Sequence, residues 1–185
     1  MRIKTTLILL SALFAAKNLR AADGDTFPAM MLEGVEITCK VISESEKTCQ
    51  IGSGVKEHSY DGGVSIEIAL TLPSEVNGYK VVKLADWAFA SWWGMYSIEI
   101  PEGVTSIGNS AFSGCSRLKS ISLPSTLSEL GDSDYPEVFN NCYNLEEIKV
   151  AEGNTTYDSR NNCNAIIQEK QGITHLVYAC KGTTI

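Results

Sequence analysis

Short runs in which apolar and polar residues alternate recur along the middle of the chain. Residues 97–101 read SIEIP, and residues 120–124 read SISLP. A period of two is typical of a strand with one buried face, and proline ends such a strand because it has no N–H to donate. Val104 and Ile107 then begin a second short strand. Residues 109–112 are predicted to form one helical turn, with Ala111 and Phe112 facing inward.

These runs belong to a unit that repeats along the chain. The offset between the two runs is 23 residues, whereas AFSGC at 111–115 reappears as VFNNC at 138–142, which indicates a four-residue insertion near 132–135. One unit is too small to bury its own apolar face, so neighbouring units must share a core. We therefore expect Ile98, Ile121 and Ile148 to lie in one column. The fold class that follows is a β-rich α/β solenoid.

The repeat also resembles a known family. Residues 98–115, which read IEIPEGVTSIGNSAFSGC, closely resemble the 23-residue repeat of BspA-type leucine-rich-repeat proteins, which are cell-surface or secreted proteins of host-associated anaerobic bacteria. The resemblance implies a short right-handed array with flanking N-terminal and C-terminal β-hairpins. It implies a cap region with a hairpin at 23–63, repeats at 64–150, and a C-terminal hairpin or partial repeat at 151–185. The expected partners are host matrix proteins or other bacterial surface proteins.

The two ends of the chain carry separate predictions. Residues 1–22 have a basic start, a short apolar run and a small-residue exit, which is typical of a signal peptide, with an amphipathic helix as the alternative. The product is then exported, and is secreted, periplasmic or held at the cell surface. At the other end, the chain stops at 183–185, where the family commonly begins another repeat. An open edge there would favour self-association by strand pairing.

Charge and residue chemistry exclude several classes of function. The net charge of −7 becomes −11 without residues 1–22, because four basic residues and no acidic ones are lost. An acidic surface disfavours binding to nucleic acid or anionic lipid. No later segment is apolar enough to span a membrane. His58 and His175 have no ligand or nucleophile at a useful spacing, and there is no CxxC pair. We therefore predict no enzyme activity, no metal and no cofactor.

The six cysteines allow disulfides in an exported protein. Cys163 and Cys180 would meet at the open end of a hairpin that turns at 171–172, so they form a disulfide or remain two thiols. Cys39 and Cys49 flank a turn and could also pair. The cysteines at 115 and 142 share one slot of the repeat and are interpreted as small buried side chains. Residues 154–156 read NTT, an N-glycosylation pattern interpreted here as a polar turn.

Two groups of side chains are candidates for a binding surface. The first is aromatic, because one repeat has tryptophan or tyrosine where the next has small or charged residues: Trp87, Trp93 and Tyr96. Exposed aromatic patches often bind proteins or sugars, but these side chains could instead cover the N-terminal hairpin. The second group consists of polar, outward strand positions, which form a recognition surface or merely a solvated face: Ser97, Glu99, Ser120, Ser122, Glu147 and Lys149.

Together these features predict a non-enzymatic extracellular recognition module for protein binding or adhesion at the bacterial surface. Its partner would be a protein or a glycan. The alternative is a structural component of a surface assembly that associates with copies of itself.

Overall fold

The computed structural model describes residues 21–32, 35–52, 68–131, 137–181 and 183. The predicted signal peptide therefore lies, up to residue 20, outside the described residues, as do His58 and the insertion near 132–135. The strands run as follows: β1 (Thr26–Leu32), β2 (Val35–Ser43), β3 (Thr48–Ile51), β4 (Ile68–Thr71), β5 (Glu75–Val76), β6 (Tyr79–Leu84), β7 (Met95–Glu99), β8 (Ser106–Ile107), β9 (Ser120–Leu123), β10 (Glu129–Leu130), β11 (Glu147–Val150), β12 (Tyr157–Asp158), β13 (Ala165–Lys170) and β14 (Ile173–Ala179).

The repeats form two sheets whose strands run parallel from unit to unit. One sheet has the order β4-β7-β9-β11, and the other contains the parallel run β3-β6-β8-β10. The predicted column is confirmed, because Ile121 is paired with Ile98 on one side and with Ile148 on the other. In the second sheet Ile107 lies between Leu84 and Leu130 in the same manner. The inward residues of both sheets are buried, so the units share one core.

The helical turn predicted for residues 109–112 is wrong. This segment consists of hydrogen-bonded turns, and Ser110 has a φ of 54°, in the left-handed region that interrupts a right-handed helix. Within the described residues, helix is limited to two 3-10 turns, at Glu137–Phe139 and Arg160–Asn162. The protein is therefore β-rich, and the α component of the predicted α/β class is absent from this part of the chain.

Alternate backbone donors of these turns bond to the next unit, and the donors between them bond within their own turn. Phe112 N–H donates to the Val138 carbonyl at 3.0 Å, and Gly114 N–H donates to the Asn140 carbonyl at 2.7 Å. Alternate residues of 87–91 donate in the same way to alternate residues of 109–113. An additional ladder of hydrogen bonds thus ties the connecting turns together, which explains why no helix forms there.

Aromatic rings run along the core in register with these turns. Phe112 lies between Phe89 and Phe139, with centroid distances of 5.6 Å and 5.7 Å and nearly parallel planes. Trp92 stacks on Phe89 and is buried, as predicted for the slot that cysteine occupies in later units. Tyr178 packs against Phe139 at the other end. Each buried phenylalanine contributes about 1.5–3 kcal/mol through loss of exposed apolar surface.

Antiparallel strands flank the parallel units. At the N-terminal side β2 pairs with β3 and with β1, and β3 then runs parallel to β6, which joins this region to the repeats. At the C-terminal side β13 and β14 form a hairpin that turns at Gln171 and Gly172, both with positive φ, as the sequence predicted.

Asn154 connects the last unit to the C-terminal hairpin. Its side-chain amide donates to the carbonyls of Pro124 and Leu127, and its oxygen accepts from the N–H groups of Thr156 and Tyr157. The amide of the NTT sequence is therefore engaged inside the fold, in agreement with its interpretation as a polar turn.

Candidate binding face

The six polar strand positions predicted from the sequence lie together on one surface. Their side chains are half-buried or exposed, while the alternate positions of the same strands are buried. Pairing between strands arranges them in two rows. We call this surface the strand face, and its rows are Ser97, Ser120 and Glu147, followed by Glu99, Ser122 and Lys149.

The charges of the strand face are balanced locally. Lys149 Nζ lies 2.8 Å from a carboxylate oxygen of Glu147. Thr71 on β4 donates its hydroxyl to Glu99 at 3.4 Å, which extends the second row by one strand. Such exposed pairs contribute little stability, so folding places little constraint on the identity of these residues.

A third row precedes the strands and continues the face. Lys119 N–H donates to the Tyr96 carbonyl, and the N–H groups of Glu146 and Glu147 donate to the Lys119 carbonyl, so successive units lie side by side here as well. Lys119 Nζ sits 5.1 Å from the centroid of the Tyr96 ring, a cation–π contact. Tyr96 is thereby held on the strand face, adjacent to Ser97.

A row of turn residues borders this surface. Trp93, Ser116 and Tyr143 occupy the same slot, four residues after the stacked phenylalanines. Trp93 is 51% exposed and Tyr143 is 72% exposed, and the small Ser116 lies between their units. We call these three residues the aromatic edge. Tyr143 was not among the residues predicted from the sequence, although the 27-residue offset that links Cys115 to Cys142 also links Ser116 to Tyr143.

Trp87 is placed elsewhere. It lies three residues after the end of β6, whereas Trp93 lies two residues before the start of β7, so the two tryptophans lie at opposite ends of the connection between the sheets. Trp87 has a φ of 60°, donates its N–H to the Asn109 carbonyl and is 37% exposed. Of the three aromatic residues predicted to be exposed together, Trp93 and Tyr96 border the strand face and Trp87 does not.

The predicted cysteine pairs are close together, although all six cysteines carry free thiols in this structure. The sulfur atoms of Cys39 and Cys49 are 3.7 Å apart on neighbouring strands. The hydrogen bond between them raises the pKa of Cys39, with burial adding to the effect, and lowers the pKa of Cys49. Cys180 contacts the carbonyl of Asn164, the residue after Cys163. Both disulfides stay predictions.

Groups suited to metal binding or acid–base catalysis are few in the part of the chain that the structure describes. No group of three or more potential metal ligands occurs among these residues. His175 is exposed on β14, opposite Gln168. None of the helices in the described residues has the length and apolar character needed to cross a bilayer.

Three solved bacterial structures are similar to this chain. The pneumococcal vaccine antigen PcpA matches over 88% of this chain and 57% of its own, with 17% identity and a TM-score of 0.32. A leucine-rich repeat protein from Eubacterium ventriosum matches over 87% and 52%, with 15% identity and a TM-score of 0.30. A leucine rich cell surface protein from Faecalibacterium prausnitzii matches over 76% and 59%, with 14% identity and a TM-score of 0.32. This chain therefore spans little more than half the length of each.

No curated protein sequence matches this chain significantly. The family model described as the BspA type leucine rich repeat region does match, with 6 copies over residues 69–169. That range is more than half of the chain and contains both the strand face and the aromatic edge. The chain thus belongs to the BspA-type leucine-rich-repeat family.

Proposed function

We propose that this protein is a non-enzymatic, exported recognition module of the bacterial surface. In this proposal its repeats form a short right-handed solenoid, and the strand face and aromatic edge bind the partner. The observation that carries it is the arrangement of outward side chains in continuous rows across successive units. Rows of this kind give repeat proteins an extended docking surface without requiring a cleft.

The chemistry of the face supports binding in preference to catalysis. The residues that line it are serine, glutamate, lysine and tyrosine; Lys149 pairs with Glu147, and Lys119 contacts the Tyr96 ring. Two exposed aromatic side chains border it, Trp93 and Tyr143. Aromatic rings of this kind provide large contact areas at a low cost in side-chain entropy.

A matched pair of serine substitutions tests the binding surface. Ser120→Arg places a bulky charge in the middle of the strand face. Ser106→Arg does the same on the outward row of the other sheet, between Lys83 and Glu129. We expect Ser120→Arg to reduce adhesion of the labelled protein to matrix proteins or bacterial cells by about tenfold or more, as for a disrupted interface centre. Equal behaviour of both variants would contradict the proposal.

A second candidate function, self-association in a surface assembly, is favoured by β14. This strand lies at the edge of its three-stranded sheet, and Ile173 and Leu176 on it are 60% and 50% exposed. Exposed apolar edge strands tend to pair with other chains. Size-exclusion chromatography with light scattering should then show a dimer or larger species that Leu176→Lys converts to a monomer. A monomer at all concentrations would exclude this role.

A further inference from the structure

We propose that Trp93 and Tyr143 form a two-ring platform for an uncharged β-linked glycan. The proposal rests on the proposed function, because it specifies the ligand of the same surface. It concerns the aromatic edge, in which the structure shows Tyr143 to be exposed.

The spacing of the two rings is set by the repeat. Trp93 and Tyr143 each follow, by four residues, a member of the phenylalanine stack, Phe89 and Phe139. That stack advances in steps of 5.6 and 5.7 Å, and strands in a sheet are 4.7–4.9 Å apart. The two aromatic slots are therefore separated by about 10–11 Å, which is twice the strand spacing or two steps of the stack. In an extended β-linked chain, every second sugar presents the same face at a comparable interval.

The residue between the two rings leaves room for such a chain. Ser116 occupies the middle slot, and its small side chain is half-buried, whereas the slots on both sides carry exposed aromatic rings. A glycan lying along the edge would place one sugar on each ring and a third above Ser116. The C–H faces of sugars pack on aromatic rings in the manner of other flat amphipathic groups.

Polar groups suited to hydroxyls surround the platform. The Tyr143 hydroxyl donates to Asn141 Oδ1 at 2.6 Å, and Asn144 Nδ2 donates to the Ser116 carbonyl at 2.6 Å. Both contacts are exposed: the first orients the Tyr143 ring within its own turn, and the second holds the Asn144 amide next to the middle slot. An amide held in this way retains an oxygen that can accept from a ligand hydroxyl.

The charge of the surface matches a neutral ligand. The strand face with its third row carries two basic and three acidic side chains, a net charge of −1, whereas the chain as a whole has a net charge of −7. The contributing residues are Lys119, Lys149, Glu99, Glu146 and Glu147. A local balance of this kind neither attracts an anionic polysaccharide nor complements a charged peptide. A protein partner would also favour a contiguous apolar centre, whereas these rings stand apart.

The experiment uses three soluble probes, cellohexaose, chitohexaose and xylohexaose, with isothermal titration calorimetry on the purified protein. We expect at least one probe to bind at millimolar concentration or below, and the corresponding monosaccharide not to compete. Trp93→Ala and Tyr143→Ala should each weaken binding about tenfold, the scale expected for loss of one stacked ring. The matched control is Trp87→Ala, which removes an exposed tryptophan at the other end of the connection. Circular dichroism would verify that each variant is folded.

The outcomes separate this proposal from the proposed function. If none of the probes binds, or if Trp87→Ala weakens binding as much as Trp93→Ala, the glycan platform is wrong. In that case a specific loss of adhesion with Ser120→Arg would still support recognition of a different partner. If no substitution on the strand face or aromatic edge changes glycan binding or adhesion, both proposals fail.

Discussion

Phe112 stacks on Phe139 with 5.7 Å between the ring centroids and 5° between the ring planes. Phe112 is fully buried, and on its other side it meets Phe89 at an angle of 3°. The three phenylalanines belong to the turns that connect the two sheets. Loss of the middle ring removes contacts to both neighbouring units at once.

Phe112→Ala should therefore lower the free energy of unfolding by about 3–5 kcal/mol, since a buried ring is replaced by a cavity. Urea denaturation followed by circular dichroism would measure the loss. Tyr143→Ala, at a site that is 72% exposed, serves as the control and should change stability by less than about 0.5 kcal/mol. A similar small change for both variants would refute the shared core.

Gly108→Ala is expected to destabilise the protein by about 3 kcal/mol through overpacking against a neighbouring backbone. An added Cβ would lie 2.2 Å from Asp86 Oδ1 and 2.5 Å from the Asp86 nitrogen. The same aspartate accepts a hydrogen bond from the Asn109 N–H, so it cannot easily move away. Gly153→Ala is the control, because nothing lies within 4 Å there and only its φ of +87° is unfavourable. Its cost should be about 1 kcal/mol. Thermal melts of the two variants would give the comparison.

Glu102 gives the stability of the protein a defined dependence on pH. The backbone N–H and hydroxyl of Ser125 donate to its carboxylate and lower its pKa from the ordinary value of 4.5. Because the pKa is lower in the folded state, the stabilisation is complete above pH 4.5 and is lost as the pH falls through the folded value. Glu102→Gln should therefore be less stable than the parent near neutral pH, by less than about 1 kcal/mol for this exposed group. The difference should shrink in acid.

Melting temperatures of the parent and Glu102→Gln at several pH values would test this linkage. Ser125→Ala removes one of the two donors and should show a weaker form of the same pH dependence. A gap between the parent and Glu102→Gln that does not narrow in acid would rule out the linkage.

Cys115 and Cys142 should resist alkylation in the folded protein. Burial raises the pKa of both thiols, to about 12 for Cys142, so little thiolate is present at neutral pH. Each sulfur also donates to a carbonyl of the preceding unit, at Phe89 and Phe112. Peptide mapping after iodoacetamide treatment should find both residues unmodified in buffer and modified in urea. Modification of either one in buffer would contradict their packed environment.

A disulfide between Cys39 and Cys49 should form when a disulfide oxidant is supplied during refolding or transient opening, because both side chains are fully buried in the folded protein. Their sulfur atoms are 3.7 Å apart, and the lowered pKa of Cys49 favours the attacking thiolate. In that exchange the two thiols lose two protons and two electrons, and the oxidant is reduced to thiols. Intact mass should fall by about two hydrogens per bond formed. Cys39→Ala should eliminate the bond at this pair. Peptide mapping of the oxidised variant would then show whether Cys163 and Cys180 form a disulfide.

The repeat pattern was sufficient to predict the parallel columns, because strand alternation and the 23-residue offset both derive from which side chains must be buried. Ile98, Ile121 and Ile148 thus align as expected. The absence of a helix at 109–112 was not predictable in the same way, because a local pattern cannot reveal that Phe112 donates its N–H to the next unit. Strand β1 was also missed, since residues 26–32 lack alternation.

The candidate surface was only partly visible in the sequence. The strand rows follow from register, so the outward placement of all six positions was predictable. Trp87 was grouped with Trp93 because both occupy slots that are polar in the next unit, yet the connection between the sheets separates them. Tyr143 was overlooked because its neighbour in the preceding unit is Ser116, which gives no aromatic pattern to extend.

Several polar contacts join residues that are 23 positions apart, including Asn109 to Asp86, Gly103 to Thr126 and Ser128 to Thr105. Because the interval is constant, these contacts join corresponding positions of neighbouring units, which is a translational symmetry. Duplicating residues 101–123 in frame would give the new copy, on each side, a neighbour that already carries complementary groups. A gene that encodes such repeats can gain or lose whole units. The length of the protein can therefore change in evolution while the contacts between neighbouring units stay the same.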